Sequence, residues 1–166
     1  MNKVICILLI VCFVLPFCGC NYDDGIQEPV YFYYRNIEFD YSGDNIVIAP
    51  EIREAAGHIH DPEYLLSLYL IGPSDPFLQS PFPKGTKLIN SHIQDRILTV
   101  QLSSQVAHMN DLDFTLACAC FAKTCFSITD IDQVKITAGN PSRAEYVEIT
   151  MTPDDILEID DSAPVS

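Results

Sequence analysis

Basic residues are scarce in this sequence of 166 residues. Nine lysines and arginines stand against 23 aspartates and glutamates, which gives a formal net charge of -14. A chain this acidic repels the phosphate backbone of DNA and RNA, so nucleic-acid binding is excluded as the expected function. Apolar residues make up 48% of the chain, which excludes wholesale disorder and is enough for one packed core. The length predicts one domain with short additional segments.

No apolar run is long enough for a membrane-spanning helix, which needs roughly 20 residues. The longest run, residues 4–15, follows the single positive charge of Lys3 and ends at Pro16 and Gly19. This arrangement is typical of a secretory signal peptide. The alternative, a buried N-terminal helix, is less favoured because a helix of the domain usually has a polar side. We therefore predict that residues 1–19 are a signal peptide.

The end of this segment resembles the lipobox of bacterial lipoproteins. Gly19 directly precedes Cys20, whereas the bulky Phe17 precedes Cys18. In lipoproteins of this class the signal is cut before the cysteine, and the cysteine sulfur carries a diacylglyceryl group. The resemblance implies lipid attachment at Cys20 and anchoring in the cell membrane on its extracytoplasmic side, since two acyl chains anchor a protein stably.

Cleavage would leave few cysteines, so the sequence predicts no disulfide framework. It would also remove Lys3, which changes the net charge from -14 to -15.

Cys118, Cys120 and Cys125 lie on one predicted helix. Cys118 and Cys120 point about 200° apart, too far to share a metal or a disulfide. We interpret all three as small core residues. A nucleophilic thiol is the alternative, but no base or nucleophile motif lies nearby.

The remaining pattern predicts an α+β fold. A strand over residues 30–34, a turn over 41–44 and a strand over 46–49 closed by Pro50 indicate a hairpin. Asp61-Pro62 begins a helix that Gly72-Pro73 ends. Strands over 87–93 and 97–102 flank a turn at Asp95-Arg96, and a second helix runs from Asp111 to Phe126, with an apolar face predicted at Leu112, Leu116, Ala119 and Thr124. Two strands follow, over 131–137 and 146–151.

The economical arrangement of these elements is one small mixed β-sheet with two main helices on one face. The predicted divisions are the signal peptide (1–19), a tether (20–28), the domain (29–152) and an acidic tail (153–166) that is solvated and partly disordered. Residues 73–85 hold four of the eleven prolines, so they form a long loop, and such loops are often functional.

The order and spacing of short motifs over residues 30 to 140 resemble the GerMN domain of sporulation and spore-germination lipoproteins. These motifs are Val30-Tyr31-Phe32, Pro50-Glu51-Ile52-Arg53, Leu65-Leu66, Gly72-Pro73, Pro83-Lys84-Gly85-Thr86, Val100-Gln101-Leu102-Ser103, Thr124, Ile131, Val134 and Gly139. The resemblance implies a fold similar to ring-building α/β modules. It also implies a non-enzymatic part of an envelope complex, with protein partners, no cofactor and no catalytic residues. The alternatives are a small-ligand binding or sensor module and, less favoured, an enzyme.

Four kinds of site candidate follow from the residues. Phe77, Leu78 and Phe82 in the long loop either form an interaction surface or fold back on the core. Arg53 is a structural anchor, pairing with a carboxylate or with helix C-terminal carbonyls, or a ligand contact. His58, His60 and Asp61 have donor types that bind zinc, but Asp61 is needed as a helix cap, so we predict no metal site. His92 and His108 are isolated.

Overall fold

The computed structural model describes residues 29–37, 47–143 and 145–156. The signal peptide, Cys20, the rest of the tether, the turn over 41–44 and the tail residues 157–166 lie outside the described residues. The α+β class is confirmed. The described elements are β1 (Pro29–Asn36), β2 (Ile48–Glu54), α1 (Pro62–Ile71), β3 (Leu78–Gln79), β4 (Leu88–Gln94), β5 (Ile97–Leu102), a 3-10 helix (Ser104–His108), α2 (Asp111–Ile128), β6 (Gln133–Ala138), β7 (Val147–Met151) and a second 3-10 helix (Pro153–Asp155).

The strands form two sheets, so the prediction of one mixed sheet was wrong. One sheet has the order β2-β1-β3, and the other has the order β4-β5-β6-β7, with β5 and β6 parallel. On the side of β1 away from β2, β3 pairs only with Arg35 and Asn36, and α2 covers the part of the edge before them. The Thr124 hydroxyl accepts a hydrogen bond from the Tyr33 N–H at 2.9 Å, and the Ser127 hydroxyl donates to the Tyr31 carbonyl at 2.7 Å. Strands of the second sheet therefore cannot pair with β1 there.

The hairpin of β1 and β2 is confirmed, but β2 does not end at Pro50. Pro50 pairs with Tyr33 in antiparallel register, and the strand continues to Glu54. β2 is the outer strand of its sheet, so a proline nitrogen that cannot donate is tolerated. The sequence predicted that Pro50 ends the strand. Because Pro50 lies on an outer strand, its missing N–H loses no hydrogen bond of the sheet.

Helix α1 begins and ends where the sequence predicted. The Asp61 carboxylate accepts a hydrogen bond from the Tyr64 N–H at 3.0 Å, and Pro62 takes the first helical position. Gly72 ends the helix with a φ of 105°, a conformation that favours glycine. Among the described residues, no helix is long and apolar enough to span a bilayer.

Helix α2 packs against both sheets, which the sequence did not predict. It contacts β1 of the first sheet and β6 and β7 of the second. The predicted apolar face was wrong at Leu112, which is exposed. The buried residues lie on a different and wider arc and are Ala117, Cys118, Cys120, Phe121, Ala122, Thr124 and Cys125. A helix between two sheets has to bury more than one stripe of its circumference.

The predicted turn between β4 and β5 is confirmed, and ion pairs of Arg96 hold it in place. Asp95 and Arg96 both adopt positive φ values, 52° and 60°, as a two-residue hairpin turn requires. The Arg96 guanidinium donates to the carboxylates of Asp130 and Asp132 over distances of 2.7 to 2.9 Å. These bonds fasten the turn to the segment that leads into β6.

The core centres on aromatic rings from β1, α1 and α2. The Tyr34 and Tyr69 rings stack with centroids 4.7 Å apart. The Tyr34 hydroxyl donates to the Tyr69 carbonyl, and the Tyr69 hydroxyl donates to the Tyr33 carbonyl. Burial raises the pKa of both tyrosines, so both hydroxyls stay protonated and act as donors. The folded part continues past residue 152, because Ile156 packs against this core.

Candidate protein-contact site

Arg53 joins β2 to the end of α1 and to the start of the long loop. Its Nε donates to the Glu51 carboxylate at 2.7 Å, and its Nη2 donates to the Gly72 carbonyl at 2.6 Å and to the Ser74 hydroxyl at 3.3 Å. The guanidinium carbon lies 5.6 Å from the centroid of the Phe32 ring. These contacts are those of a structural anchor, one of the two roles that the sequence left open for Arg53.

The Glu51 carboxylate completes this anchor. It accepts hydrogen bonds from the backbone N–H groups of Ser74 at 2.9 Å and Asp75 at 3.4 Å. Burial alone would raise the pKa of Glu51, but the hydrogen bonds from Arg53, Asp75 and Ser74 outweigh burial and hold the pKa below its ordinary value. Glu51 is therefore ionised at neutral pH and fixes the first residues of the loop to β2.

Backbone hydrogen bonds hold Phe77 in place on the loop. The Phe77 N–H donates to the Asp75 side chain at 2.8 Å, and the Phe77 carbonyl accepts from the Ile37 N–H at 3.0 Å. Leu78 and Gln79 then form β3, which pairs with the end of β1. Phe77 nevertheless stays 54% exposed. The loop thus presents an aromatic side chain from a fixed backbone.

The three loop residues proposed as a surface occupy different environments. Phe82 is only 5% exposed, and its ring lies 5.7 Å from that of Phe121, so Phe82 takes the core alternative. Leu78 is partly buried against the core. Phe77 alone of the three is largely exposed, and the exposed side chain of Ile37 follows β1, whose last residue pairs with Leu78. The candidate contact site on the loop is therefore centred on Phe77.

Sequence reasoning missed the outward face of the β1–β2 hairpin. Tyr31 and Ile52 lie opposite each other in register and are both exposed, and Tyr33 lies opposite Pro50. β1 carries aromatic residues on both of its faces, so alternation of apolar and polar residues could not indicate which face was outside. The Lys123 ammonium lies 4.9 Å from the Tyr33 ring centroid and covers part of this face.

Two clefts lie beside the long loop, and Arg53 lines neither of them. A cleft of about 470 Å³ lies between loop residues 79–83, residues 105–113 and Arg35. The Arg35 guanidinium lies 3.7 Å from the Asp113 carboxylate in this cleft. A cleft of about 540 Å³ lies between the C-terminal half of α1 and residues 84–88.

The side chains of His58, His60 and Asp61 do not come together as a metal site would require. The His58 Nδ1 lies 3.8 Å from the Asp61 carboxylate, and the His58 ring stacks on Tyr64 with centroids 4.0 Å apart. His60 is exposed, and Asp61 caps α1. His108 lies 4.0 Å from Glu145. In the part of the chain that the structure describes, no group of three or more His, Cys, Asp or Glu residues is placed to hold a metal ion.

The cysteines of α2 lie inside the fold as free thiols. Cys118, Cys120 and Cys125 are all buried, which confirms their predicted position as small core residues. Burial raises the pKa of Cys118 and Cys120 to about 12, and it also raises the pKa of Cys125. These thiols are therefore protonated at neutral pH, a state in which a thiol is a poor nucleophile and metal ligand.

Comparison with known proteins places the described fold in context. The family model described as Germane, sporulation and spore germination, matches residues 29–142. A 2.5 Å crystal structure of a candidate lipoprotein from Clostridium perfringens is similar, with 23% sequence identity and a TM-score of 0.43. The similarity covers 68% of this chain and 75% of that chain. Curated proteins show no match to this sequence.

Proposed function

Because the chain belongs to the Germane family of sporulation and spore germination, we propose that it is a non-enzymatic, lipid-anchored protein that acts by binding another protein in spore or envelope assembly. The observation that carries the contact role is Phe77. Phe77 is 54% exposed on a loop that Glu51, Arg53 and Asp75 hold in place. A fixed backbone lowers the entropy cost of binding, and interface energy concentrates in a few aromatic side chains.

The proposed anchor is a lipid on Cys20, on the extracytoplasmic side of the cell membrane. Residues 21–28 separate Cys20 from Pro29, the first residue of β1. A chain of this length spans at most about 26–29 Å when fully extended. Anchoring at Cys20 would therefore keep the domain close to the membrane surface, where it meets partners in an envelope complex.

We expect Cys20→Ala to abolish lipid attachment and correct maturation of the full chain. The change removes the sulfur that would carry the diacylglyceryl group. The measurement is metabolic labelling with a fatty-acid probe, followed by separation of membrane and soluble fractions. Cys18→Ala is the matched control and is expected to keep the label. Label retained by the Cys20→Ala chain would contradict the anchor.

We expect Phe77→Ala to weaken partner binding without changing the fold. Exposed side chains contribute little to stability, so the free energy of unfolding is expected to change by less than about 0.5 kcal/mol. Capture of partner proteins by the tagged full chain from sporulating cells is expected to fall at least about tenfold, as loss of an aromatic hot spot does. Ile71→Ala, at another exposed apolar residue, is the control and should leave capture unchanged. Equal capture by the Phe77→Ala and parent chains would refute the contact role.

A second candidate function is binding or sensing of a small ligand at the cell surface. It is supported by the cleft of about 470 Å³ beside the loop, whose lining includes Arg35, His108 and Asp113. Ligand pockets commonly have volumes of about 300–1,000 Å³ with a few convergent polar groups. Calorimetric binding of a small molecule to the purified full chain, with no protein partner present, would favour this function over protein binding.

A further inference from the structure

Strand β4 has an edge without the usual protection. It is the outer strand of the four-stranded sheet, and none of its seven residues is charged or proline. Ile89 and Ile93 are 57% and 48% exposed on it. No other element of the described ranges donates to or accepts from its outer edge. An uncharged edge with exposed isoleucines is a template for pairing with another strand.

The other strand edges are blunted. β2 contains Pro50 and the charged residues Glu51, Arg53 and Glu54. β3, the other outer strand of the first sheet, has only two residues, and hydroxyl groups of α2 bond to the part of the β1 edge that β3 leaves open. β7 has five residues and carries Glu148. Charge, proline, coverage and short length are the devices by which proteins prevent edge pairing. α1 contacts β4, but β4 has seven residues, no charge and no proline, so we take its outer edge as the one that can pair.

We propose that β4 pairs with β4 of a second copy of this chain, antiparallel and centred on Ser91. In this register, two residues equally distant from Ser91 face each other across the interface. Ile89 then faces Ile93 of the second copy, and Ile93 faces its Ile89. The four-stranded sheets of the two copies join into one continuous sheet.

The charges beside β4 fit this register. Lys87 precedes the strand and Asp95 follows it at equal distances from Ser91, so Lys87 of each copy faces Asp95 of the other. Among the described residues, neither Lys87 nor Asp95 has an ion-pair partner within its own chain. Two chains of net charge -14 repel each other, and an uncharged strand flanked by opposite charges is where they can meet.

The faces of the strand also agree with this pairing. Ser91 and Ile93 pair with Val100 and Leu98, two buried residues of β5, so they lie on the core side of the sheet. Leu88 pairs with buried Leu102 and lies on that side as well, so the register shift between Leu88 and Asn90 interrupts the alternation at Ile89. Ile89 is left out of the ladder with β5 and is free to contact Ile93 of the second copy. Ile93 would extend the apolar side of the sheet across the two-fold axis.

Disulfide trapping of the full chain tests this register. Ser91→Cys places a thiol opposite its own counterpart, within the Cα separation of about 5.5 Å typical of a disulfide. Mild oxidation of membranes is expected to convert most of the chain to a disulfide-linked dimer on a non-reducing gel. Gln94→Cys is the control. Its two copies would be about 20 Å apart along the strands, and at least tenfold less dimer is expected.

A charge change gives an independent test in the Ser91→Cys chain. Lys87→Glu would face Asp95 of the second copy, and the dimer yield is expected to fall severalfold. Adding Asp95→Asn removes that repulsion and is expected to restore part of the yield, since asparagine tolerates the φ of 52° at this position. A thermal melt matching the parent confirms that each variant is folded. Monomer from Ser91→Cys, or equal dimer yields from Ser91→Cys and Gln94→Cys, would overturn the proposal.

Discussion

Phe82→Ala is expected to lower the free energy of unfolding by about 3–5 kcal/mol, the usual cost of truncating a buried phenylalanine. Phe82 is 5% exposed, and its ring meets that of Phe121 edge-on, at an interplanar angle of 77°. The change therefore leaves a cavity between the long loop and α2. It also removes the contact that holds the end of the loop to the core. Total stability of a domain is about 5–15 kcal/mol, so the loss is a large fraction.

Thermal melts of the full chain in detergent measure this effect. For a domain of this size, a loss of 3–5 kcal/mol corresponds to a fall in Tm of roughly 10–20 °C. Phe77→Ala is the matched control, because it makes the same change five residues earlier in the same loop at an exposed position. If the Phe77→Ala chain melted far below the Phe82→Ala chain, the placement of the two rings would be wrong.

Arg53→Met is expected to lower the free energy of unfolding by about 2–3 kcal/mol, since hydrogen bonds to charged groups are worth about 1.5–3 kcal/mol. The variant loses the bonds from the guanidinium to Glu51 and to the Gly72 carbonyl. The Glu51 side chain is 11% exposed, so its carboxylate would remain partly buried without its counter-charge. The start of the long loop would be held less firmly.

The pH dependence distinguishes loss of this ion pair from loss of packing. The hydrogen bonds to the Glu51 carboxylate lower its pKa in the folded chain, despite burial. A lowered folded pKa gives stability that is present above the unfolded pKa and is lost as pH falls through the folded pKa. The difference in unfolding free energy between the parent and Arg53→Met is therefore expected to be largest at neutral pH and to shrink below the ordinary value of 4.5. A constant difference across this range would mean that Arg53 acts by packing alone.

Two further variants control this experiment. Lys135→Met breaks the ion pair between Lys135 and Glu148, whose atoms lie 2.8 Å apart and whose side chains are each 38% exposed. Little change is expected, because water and salt screen an exposed pair. Arg53→Met combined with Glu51→Leu is expected to recover part of the loss, because it removes the uncompensated carboxylate.

Local signals in the sequence were sufficient for α1 and for the turn at Asp95-Arg96. The cap of α1 joins Asp61 to Tyr64, three residues along the chain, and Gly72 follows the last helical residue. Interactions of this range depend on a few adjacent residues, so a single sequence indicates them. For Arg53 the sequence left two roles open, a structural anchor and a ligand contact. As partners of an anchor it indicated a carboxylate or helix C-terminal carbonyls, and the structure has Glu51 and the Gly72 carbonyl there.

The sequence could not predict that Phe77 is exposed and Phe82 is buried. Both are phenylalanines in one proline-rich loop, and no periodicity distinguishes an inward from an outward residue in such a segment. Their environments depend on the distant residues Phe121 and Ile37, which only the fold brings to the loop. The sequence likewise could not predict that β4 is an outer strand, because strand order is a property of the whole sheet.

The sequence alone was sufficient to predict the α+β class, both ends of α1, the start of α2, the hairpins, the core position of the three α2 cysteines and the family. Short-range hydrogen bonding and hydrophobic composition decide these properties. Tertiary structure decided that there are two sheets, because Tyr33 bonds to Thr124, 91 residues along the chain, where a neighbouring strand would otherwise pair. It also decided which aromatic residues face outward and which edge is free. A contact of that range depends on how complete elements pack, and no local pattern of residues encodes it.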